Sequence, residues 1–107
     1  MTLDNNLRII KLIDSYGKML TNKQYDIMTN YYFDNLSLSE IGDNFGISRQ
    51  AVGDCINKSI KILENFEDKL NVVQLHSEIF DKLTNVKKSL TNDNLINKLD
   101  EVLELLK

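Results

Sequence analysis

The chain has 107 residues, which suits one domain with a modest core, and its single cysteine cannot form an internal disulfide. Its formal net charge of −3 argues against nucleic-acid binding by the whole surface, because affinity for phosphate comes largely from Lys and Arg. No apolar stretch approaches the roughly 20 residues that a membrane-spanning helix needs, and the N-terminus lacks a signal-peptide pattern. We therefore expect a cytoplasmic protein without membrane insertion.

The composition predicts an all-α protein, because the chain lacks proline and is dominated by Leu, Ile, Lys, Asn, Asp and Glu. A first helix is expected from about Asp4 to Lys18, where apolar residues recur at helical spacing. A second helix is expected to begin near Asn22, because Thr21 and Gln24 have the spacing of a capping box. The aromatic residues of these helices could stack on bases, but their helical spacing favours positions in the core or half-buried: Tyr16, Tyr25, Tyr31, Tyr32 and Phe33.

The segment Leu38–Asn57 has the pattern of a helix-turn-helix. Ser37 and Glu40 form a second capping box, which predicts a third helix from about Leu38 to Asn44. Gly46 follows this helix, and glycine readily takes the left-handed conformation that ends a helix sharply. A helical hairpin without a nucleic-acid role is the alternative interpretation of the same pattern.

The second helix of this motif is expected to begin at about Arg49, with Ser48 as its N-cap. Gly42 has no side chain, so we expect the second helix to cross close over the first. Cys55 lies at an inward position and is predicted to be a buried structural thiol. The small core between the two helices is predicted to contain Ile41, Phe45, Ile47, Val52 and Cys55.

The apolar stripe of the fourth helix continues far beyond the motif, which predicts one long helix or two helices with a soft break near Asn71. Thr91 or Asn92 then caps a final helix that packs back on the preceding one. We expect a small helical bundle that forms a single domain over all 107 residues. The helix-turn-helix head is predicted at about 20–62, and the packing or dimerisation helices at about 63–107.

The long helix presents more apolar surface than the head alone can cover. Either the last helix folds back over it or a second subunit covers it, and we expect both, in a homodimer built on the C-terminal half. The alternative is a monomer whose last helix covers the stripe completely. Residues 63–107 hold six basic and nine acidic residues, so the acidic excess lies away from the motif.

The candidate nucleic-acid contacts are the polar residues that face outward from the start of the fourth helix. Arginine can pair with guanine, Gln or Asn can pair with adenine, and a serine at a helix N-terminus can hold a phosphate. A solvated surface arginine is the alternative for Arg49, and Gly53 and Asp54 leave open whether this face still binds nucleic acid. The predicted site residues are Ser48, Arg49, Gln50, Asp54, Asn57, Lys58 and Lys61.

The sequence contains no phosphate-binding loop, nucleophile triad or metal-ligand cluster, so we expect no enzymatic activity, cofactor, metal or small-molecule substrate. His76 has no cysteine near it in the sequence, which argues against a metal site there. The acidic pairs Glu67–Asp68 and Asp100–Glu101 are predicted to be solvated helix faces.

The segment Asp14–Leu70 resembles the YlxM family of small helix-turn-helix proteins, also described as signal-recognition-particle-associated proteins. The most specific matches are YGKMLTNKQ at Tyr16–Gln24, YYFDNLSLSEI at Tyr31–Ile41 and GISRQAV at Gly46–Val52. The resemblance implies an all-helical protein whose head is similar to the DNA-binding region 4 of sigma factors. It also implies a role in the signal recognition particle pathway.

Two main hypotheses follow, beside a third interpretation in which the chain is a purely structural dimer without nucleic-acid contact. In the first, the chain is a helix-turn-helix DNA-binding regulatory protein that takes part in the signal recognition particle pathway. In the second, it is an interaction module that does not bind DNA, and its partner is the particle's RNA or a protein such as its GTPase. Affinity for DNA that falls steeply with salt would distinguish the first from the second.

Overall fold

The computed structural model describes residues 3–106, which form six α-helices and no β-strand. The predicted all-α class is therefore confirmed. A short 3-10 helix, Gly17–Met19, follows the first α-helix, in a region where the sequence predicted continuous α-helix to Lys18. The α-helices are α1 (Leu3–Tyr16), α2 (Asn22–Tyr32), α3 (Leu38–Phe45), α4 (Arg49–Leu70), α5 (Val72–Lys88) and α6 (Asp93–Leu105).

The long C-terminal stretch of helix is broken at one residue. Asn71 lies between α4 and α5 with a left-handed backbone, φ 56° and ψ 30°, so of the two alternatives the structure has two helices. The same point divides the chain into two compact units, of which the first ends at Leu70 and the second begins at Asn71. From here on, the head is the first unit, which is longer than the 20–62 predicted for the helix-turn-helix head, and the hairpin is the second unit. That the whole chain behaves as one domain stays a prediction.

The helix starts follow the capping residues of the sequence. At the start of α2 the backbone N–H of Gln24 donates to Thr21 Oγ1 over 3.2 Å, and the Thr21 N–H donates to Gln24 Oε1 over 3.0 Å. At the start of α6 the side chain of Asn92 accepts from the N–H groups of Asn94 and Leu95. Of the two residues proposed for that cap, the structure therefore uses Asn92.

The core of the head is built around α4, which contacts α1, α2 and α3. One stripe of α4 is buried along most of its length, because residues three and four apart share one face of a helix. Burying a Leu, Ile or Val side chain contributes about 1.5–3 kcal/mol, so this stripe stabilises the whole head. The aliphatic side chains in this core include Ile9, Leu12, Ile13, Ile27, Ile41, Val52, Ile56 and Leu63.

Two polar contacts also join α1 to α4. Arg8 donates two hydrogen bonds to the carboxylate of Glu64, with Nη2 2.7 Å from Oε2 and Nε 3.1 Å from Oε1. The hydroxyl of Tyr16 donates to Glu67 over 2.5 Å, and Glu67 is buried. The prediction that Glu67 lies on a solvated face is therefore wrong, because its partner is 51 residues away and gives no local signal. Asp68 is exposed as predicted.

The aromatic residues of the head divide between the core and the surface. Tyr16 is buried and stacks on Phe66, with ring centroids 6.0 Å apart. Tyr32 is buried too, and Tyr31 meets it edge to face at 5.0 Å. Burial, with a smaller contribution from Tyr31, raises the pKa of Tyr32 above its usual value. Tyr25 and Phe33 are exposed, so their predicted placement in the core or half-buried is wrong.

The hairpin consists of α5 and α6, which contact each other. Lys87 on α5 and Asp100 on α6 form an ion pair of 2.6 Å. Within residues 71–106, Val73 and Leu103 are the buried apolar side chains. Several other large apolar side chains of the hairpin stay exposed: Leu75, Val86, Leu95, Val102 and Leu105.

Candidate nucleic-acid interface

The first helix of the motif, α3, begins at the predicted capping box. The backbone N–H of Glu40 donates to Ser37 Oγ, and the Ser37 N–H donates to Glu40 Oε1, both over 3.1 Å. These two bonds satisfy N–H groups that a helix start otherwise leaves without a partner. The start of α3 is therefore fixed by local sequence.

The turn of the motif depends on two glycines. Gly46 has φ 68° and ψ 33°, the left-handed conformation predicted for it, and the Ile47 N–H returns to the carbonyl oxygen of Gly42 over 3.0 Å. A Cβ at Gly42 would lie 2.6 Å from the Ile47 carbonyl oxygen and 3.5 Å from the Arg49 nitrogen. The close approach predicted at Gly42 is therefore present, and the turn and the first residue of α4 make it.

The core between α3 and α4 contains the predicted residues at different depths. Ile41 and Val52 are fully buried, whereas Phe45, Ile47 and Cys55 are half-buried. The predicted full burial of Cys55 is therefore wrong in degree.

The second helix, α4, begins where the sequence predicts. Ser48 Oγ accepts a hydrogen bond from the backbone N–H of Ala51 over 3.0 Å, so Ser48 caps the helix. The remaining N–H groups of the first turn and the helix dipole together form a setting that favours an anion. Arg49 and Gln50 occupy this exposed first turn.

All seven residues predicted for the site lie at this end of α4, and all seven are exposed. Their helical part, Arg49–Lys61, spans about 18 Å at 1.5 Å per residue. Helical periodicity places Gln50, Asp54 and Lys61 at the centre of the exposed face, with Arg49 and Lys58 toward opposite edges. Whether these residues bind a nucleic acid stays a prediction.

Two residues near this face are placed differently from the seven. Ser59 is fully buried, and its hydroxyl donates to the carbonyl oxygen of Cys55 over 2.8 Å, so it belongs to the core. Gly53 is half-buried and lies between the exposed face and the core stripe.

The cations of α4 are available to a partner. Within residues 3–106, Arg49, Lys58 and Lys61 form no ion pair. The chain's other arginine, Arg8, is held by Glu64, and that hydrogen bond raises the pKa of its guanidinium. Sequence reasoning missed this pairing, since the two residues are 56 positions apart. The face therefore presents three cations and one carboxylate, that of Asp54.

The structure also bears on other kinds of site. Among residues 3–106, no group of three or more His, Cys, Asp and Glu side chains is placed to hold a metal ion. In the same part of the chain no helix combines the length and apolar character needed to cross a bilayer.

Comparison with known proteins finds a family that matches nearly the whole chain. The profile of the UPF0122 family, described as "Putative helix-turn-helix protein, YlxM / p13 like", matches residues 3–103. The match covers both the head and the hairpin.

Individual relatives agree with this match. The chain is 38% identical over 109 residues to the UPF0122 protein YlxM of Bacillus subtilis, covering 99% of both chains. It is 35% identical over 102 residues to a UPF0122 protein of Shouchella clausii, covering 95% of this chain and 94% of the relative. A UPF0122 protein of Malacoplasma penetrans is 42% identical over 97 residues, covering 88% of this chain and 84% of the relative.

Proposed function

We propose, from the premise that the chain belongs to the UPF0122 family of helix-turn-helix proteins, that it is a non-enzymatic DNA-binding regulator of the cytoplasm. In this proposal the start of α4 enters the major groove as a recognition helix. The observation that supports it most strongly is the availability of Arg49, Lys58 and Lys61, which are exposed and form no ion pair within residues 3–106.

Each exposed residue of α4 has a role that its chemistry suits. Arg49 can donate two hydrogen bonds to guanine, and Gln50 or Asn57 can pair in the same way with adenine. Lys58 and Lys61 contact phosphates and fix the register of the helix on the duplex.

The two remaining site residues, Ser48 and Asp54, have opposite expected effects on affinity for DNA. Ser48 and the first N–H groups of α4 hold a phosphate at the helix N-terminus. Asp54 accepts a hydrogen bond from the amino group of cytosine, and its negative charge repels the phosphates of the DNA backbone. It would therefore add sequence preference and lower affinity.

The hairpin supplies the second part of the proposal, a homodimer. Apolar side chains on α5 and α6 remain exposed in the single chain, among them Leu75, Val86 and Val102. A second copy that covers this surface removes it from water, and a two-fold dimer presents two recognition helices to two half-sites.

A role in the signal recognition particle pathway remains part of this proposal, on the resemblance to YlxM proteins described above. The alternative function is an interaction module that binds the particle's RNA or its GTPase and does not bind DNA. Two observations favour this alternative, the acidic excess of residues 63–107 and the presence of Asp54 on the exposed face of α4.

The test is a binding titration of the purified chain against genomic DNA fragments and the particle's RNA. If Lys58 and Lys61 neutralise two phosphates, affinity for DNA falls roughly 12-fold between about 50 and 200 mM salt for each head. The variant Arg49→Ala loses sequence-dependent binding, and Lys58→Ala lowers the salt dependence by about one phosphate.

Lys82→Ala is the matched control, because Lys82 is an exposed lysine on the hairpin. It should bind DNA as the wild type does. Retention of RNA or GTPase, with no DNA binding in either salt condition, would instead establish the interaction module.

A further inference from the structure

The head contains a pocket that the proposed function does not use. It lies where α1 begins and α2 ends, and it shares no residue with the exposed face of α4. Its volume of 290 Å³ is close to the lower limit of about 300 Å³ for ordinary ligand pockets, which suits one side chain of a partner. The residues that line it are all uncharged: Asn6, Tyr31, Tyr32, Asn35 and Leu36.

One wall of this pocket carries a polar group without a partner. Oδ1 of Asn6 is buried and accepts no hydrogen bond from residues 3–106. Buried acceptors in folded proteins are nearly always paired, and an unpaired one lowers stability. The terminal torsion of an asparagine is soft, so the amide of Asn6 can turn its oxygen toward a donor that enters the pocket. A ligand with hydrogen-bond donors therefore supplies what the head lacks at this point.

The charges near the pocket favour a cation. Asp34 lies two residues beyond the end of α2, is exposed, and forms no ion pair within residues 3–106. The C-terminal end of α2 adds the partial negative charge of the helix dipole, about half an elementary charge. Arg8 is only two positions from Asn6, but it is bound by Glu64 of α4. An anionic ligand would therefore meet repulsion at this pocket, and a cationic one would meet attraction.

The aromatic residues favour a planar cation over an ammonium group. Tyr31 is half-buried, and its ring meets that of Tyr32 edge to face with the centroids 5.0 Å apart. A guanidinium group stacks on aromatic faces and presents its N–H donors in one plane, whereas an ammonium group is a compact and strongly hydrated charge. The amide oxygens of Asn6 and Asn35 are suitable acceptors for those donors.

We propose that this pocket binds an arginine side chain of a partner protein. The guanidinium group lies against the ring of Tyr31 and donates to Oδ1 of Asn6, while Asp34 attracts its charge at the rim. The proposal goes beyond DNA binding and does not depend on it. It gives the head a second binding surface, which recognises a basic segment of a protein.

The test is a titration of the isotope-labelled full chain with the peptide acetyl-Gly-Arg-Gly-amide, followed by its amide chemical shifts. The matched probe carries citrulline, which keeps nearly the shape of arginine without its charge. We expect the arginine peptide to shift the amides of residues 5–7 and 31–36 in a saturable way. The citrulline peptide should bind at least about tenfold more weakly, because hydrogen bonds to charged groups are the stronger ones.

Two variants remove the proposed contacts. Asn6→Leu removes the acceptor and Tyr31→Ala removes the ring, and each should weaken binding of the arginine peptide at least about fivefold. Asn6→Leu also removes an unpaired buried acceptor, so its thermal unfolding midpoint should not fall below that of the wild type. Asn65→Leu is the matched control, since it makes the same change at an exposed position of α4 and should bind the peptide as the wild type does.

The outcomes separate this proposal from the proposed function. Saturable binding at these residues that is weakened in Asn6→Leu and kept in Asn65→Leu supports the proposal. It is overturned by the absence of a saturable shift, by equal binding of the citrulline peptide, or by a folded Asn6→Leu variant with unchanged affinity for the arginine peptide. Asn6→Leu should bind DNA as the wild type does, so the DNA titration tests the proposed function independently of this pocket.

Discussion

The head and the hairpin differ in how completely their apolar side chains are buried. In the head, helix stripes meet in a common core, where Leu12, Ile27 and Leu63 are fully buried. In the hairpin, Leu95 is 49% exposed and Leu105 is 83% exposed. The head therefore supplies a core from its own helices, and the hairpin keeps apolar surface that we expect a second chain to cover.

Net charge does not distinguish the same regions. Residues 1–70 contain eight basic and ten acidic side chains, and residues 71–107 contain five basic and six acidic. We expect a nucleic acid to contact the head because of the local placement of Arg49, Lys58 and Lys61 on the exposed face of α4, since affinity for phosphate comes largely from Lys and Arg. We therefore expect the head to bind the nucleic acid and the hairpin to bind a second copy of the chain.

The largest expected effect comes from removing core volume in the head. Leu63→Ala should lower the free energy of unfolding by about 2–5 kcal/mol, because Leu63 is fully buried and its truncation leaves a cavity in the core around α4. Leu95→Ala in the hairpin removes the same atoms from a half-exposed site and should cost about 1 kcal/mol or less in a single protomer. Denaturant unfolding of both variants at low protein concentration measures the difference.

Raising the protein concentration sharpens this test. If a second copy covers the hairpin, the cost of Leu95→Ala should grow with concentration while that of Leu63→Ala stays constant. If both variants lost the same free energy of unfolding at low concentration, the proposed difference in burial between the head and the hairpin would be contradicted.

A charge placed among the exposed apolar side chains of α5 and α6 should separate the proposed dimer. Val102 is 43% exposed, and Val102→Glu would bury an unpaired carboxylate in the dimer interface. We expect the dissociation constant of the dimer to rise by at least about a hundredfold, which sedimentation equilibrium can measure. Asn97→Glu adds the same charge to an exposed polar position of α6 and should leave the dimer intact.

The turn of the head offers an effect of about 1–2 kcal/mol. Gly46→Ala places a side chain on a left-handed backbone with φ 68° and should destabilise the head by about that amount. Thermal unfolding measures the change. No loss of stability in this variant would mean that the turn of the helix-turn-helix does not depend on the glycine.

The smallest expected effect tests the charge on the exposed face of α4. Asp54→Asn removes a carboxylate from the exposed face of α4 and should tighten DNA binding by about two- to fivefold, a typical effect of one exposed charge. Asp81→Asn removes an exposed carboxylate from the hairpin and should leave DNA affinity unchanged. Equal tightening in both variants would mean that only net charge matters and that α4 is not the binding face.

Much of the head could be predicted from the sequence, because local signals determine it. The capping pairs Thr21 with Gln24 and Ser37 with Glu40 both form, and Gly46 ends α3 as its conformational freedom implies. These features need only residues a few positions apart. The exposure of the candidate site residues followed from helical periodicity for the same reason.

What the sequence could not supply depends on residues far apart in the chain. The contacts of Arg8 with Glu64 and of Tyr16 with Glu67 span more than 50 positions, so neither has a local signature. Tyr25 shares the helical spacing of its neighbours yet is exposed, since periodicity gives the face of a helix and not what covers it.

The break between α4 and α5 could be predicted only in part from the sequence. The sequence favoured neither one long helix nor two, because Asn71 is not a strong helix breaker. Asparagine does tolerate the left-handed conformation better than most residues, and Asn71 adopts this conformation with φ 56°.

The measurement that tests most directly whether the head binds DNA and the hairpin binds a second copy is amide hydrogen exchange of the full chain, with and without a DNA fragment that it binds, at two protein concentrations. We predict that DNA adds protection to the first turns of α4, and that higher protein concentration adds protection to α5 and α6. Protection by DNA confined to the hairpin, or no concentration dependence in the hairpin, would contradict the account.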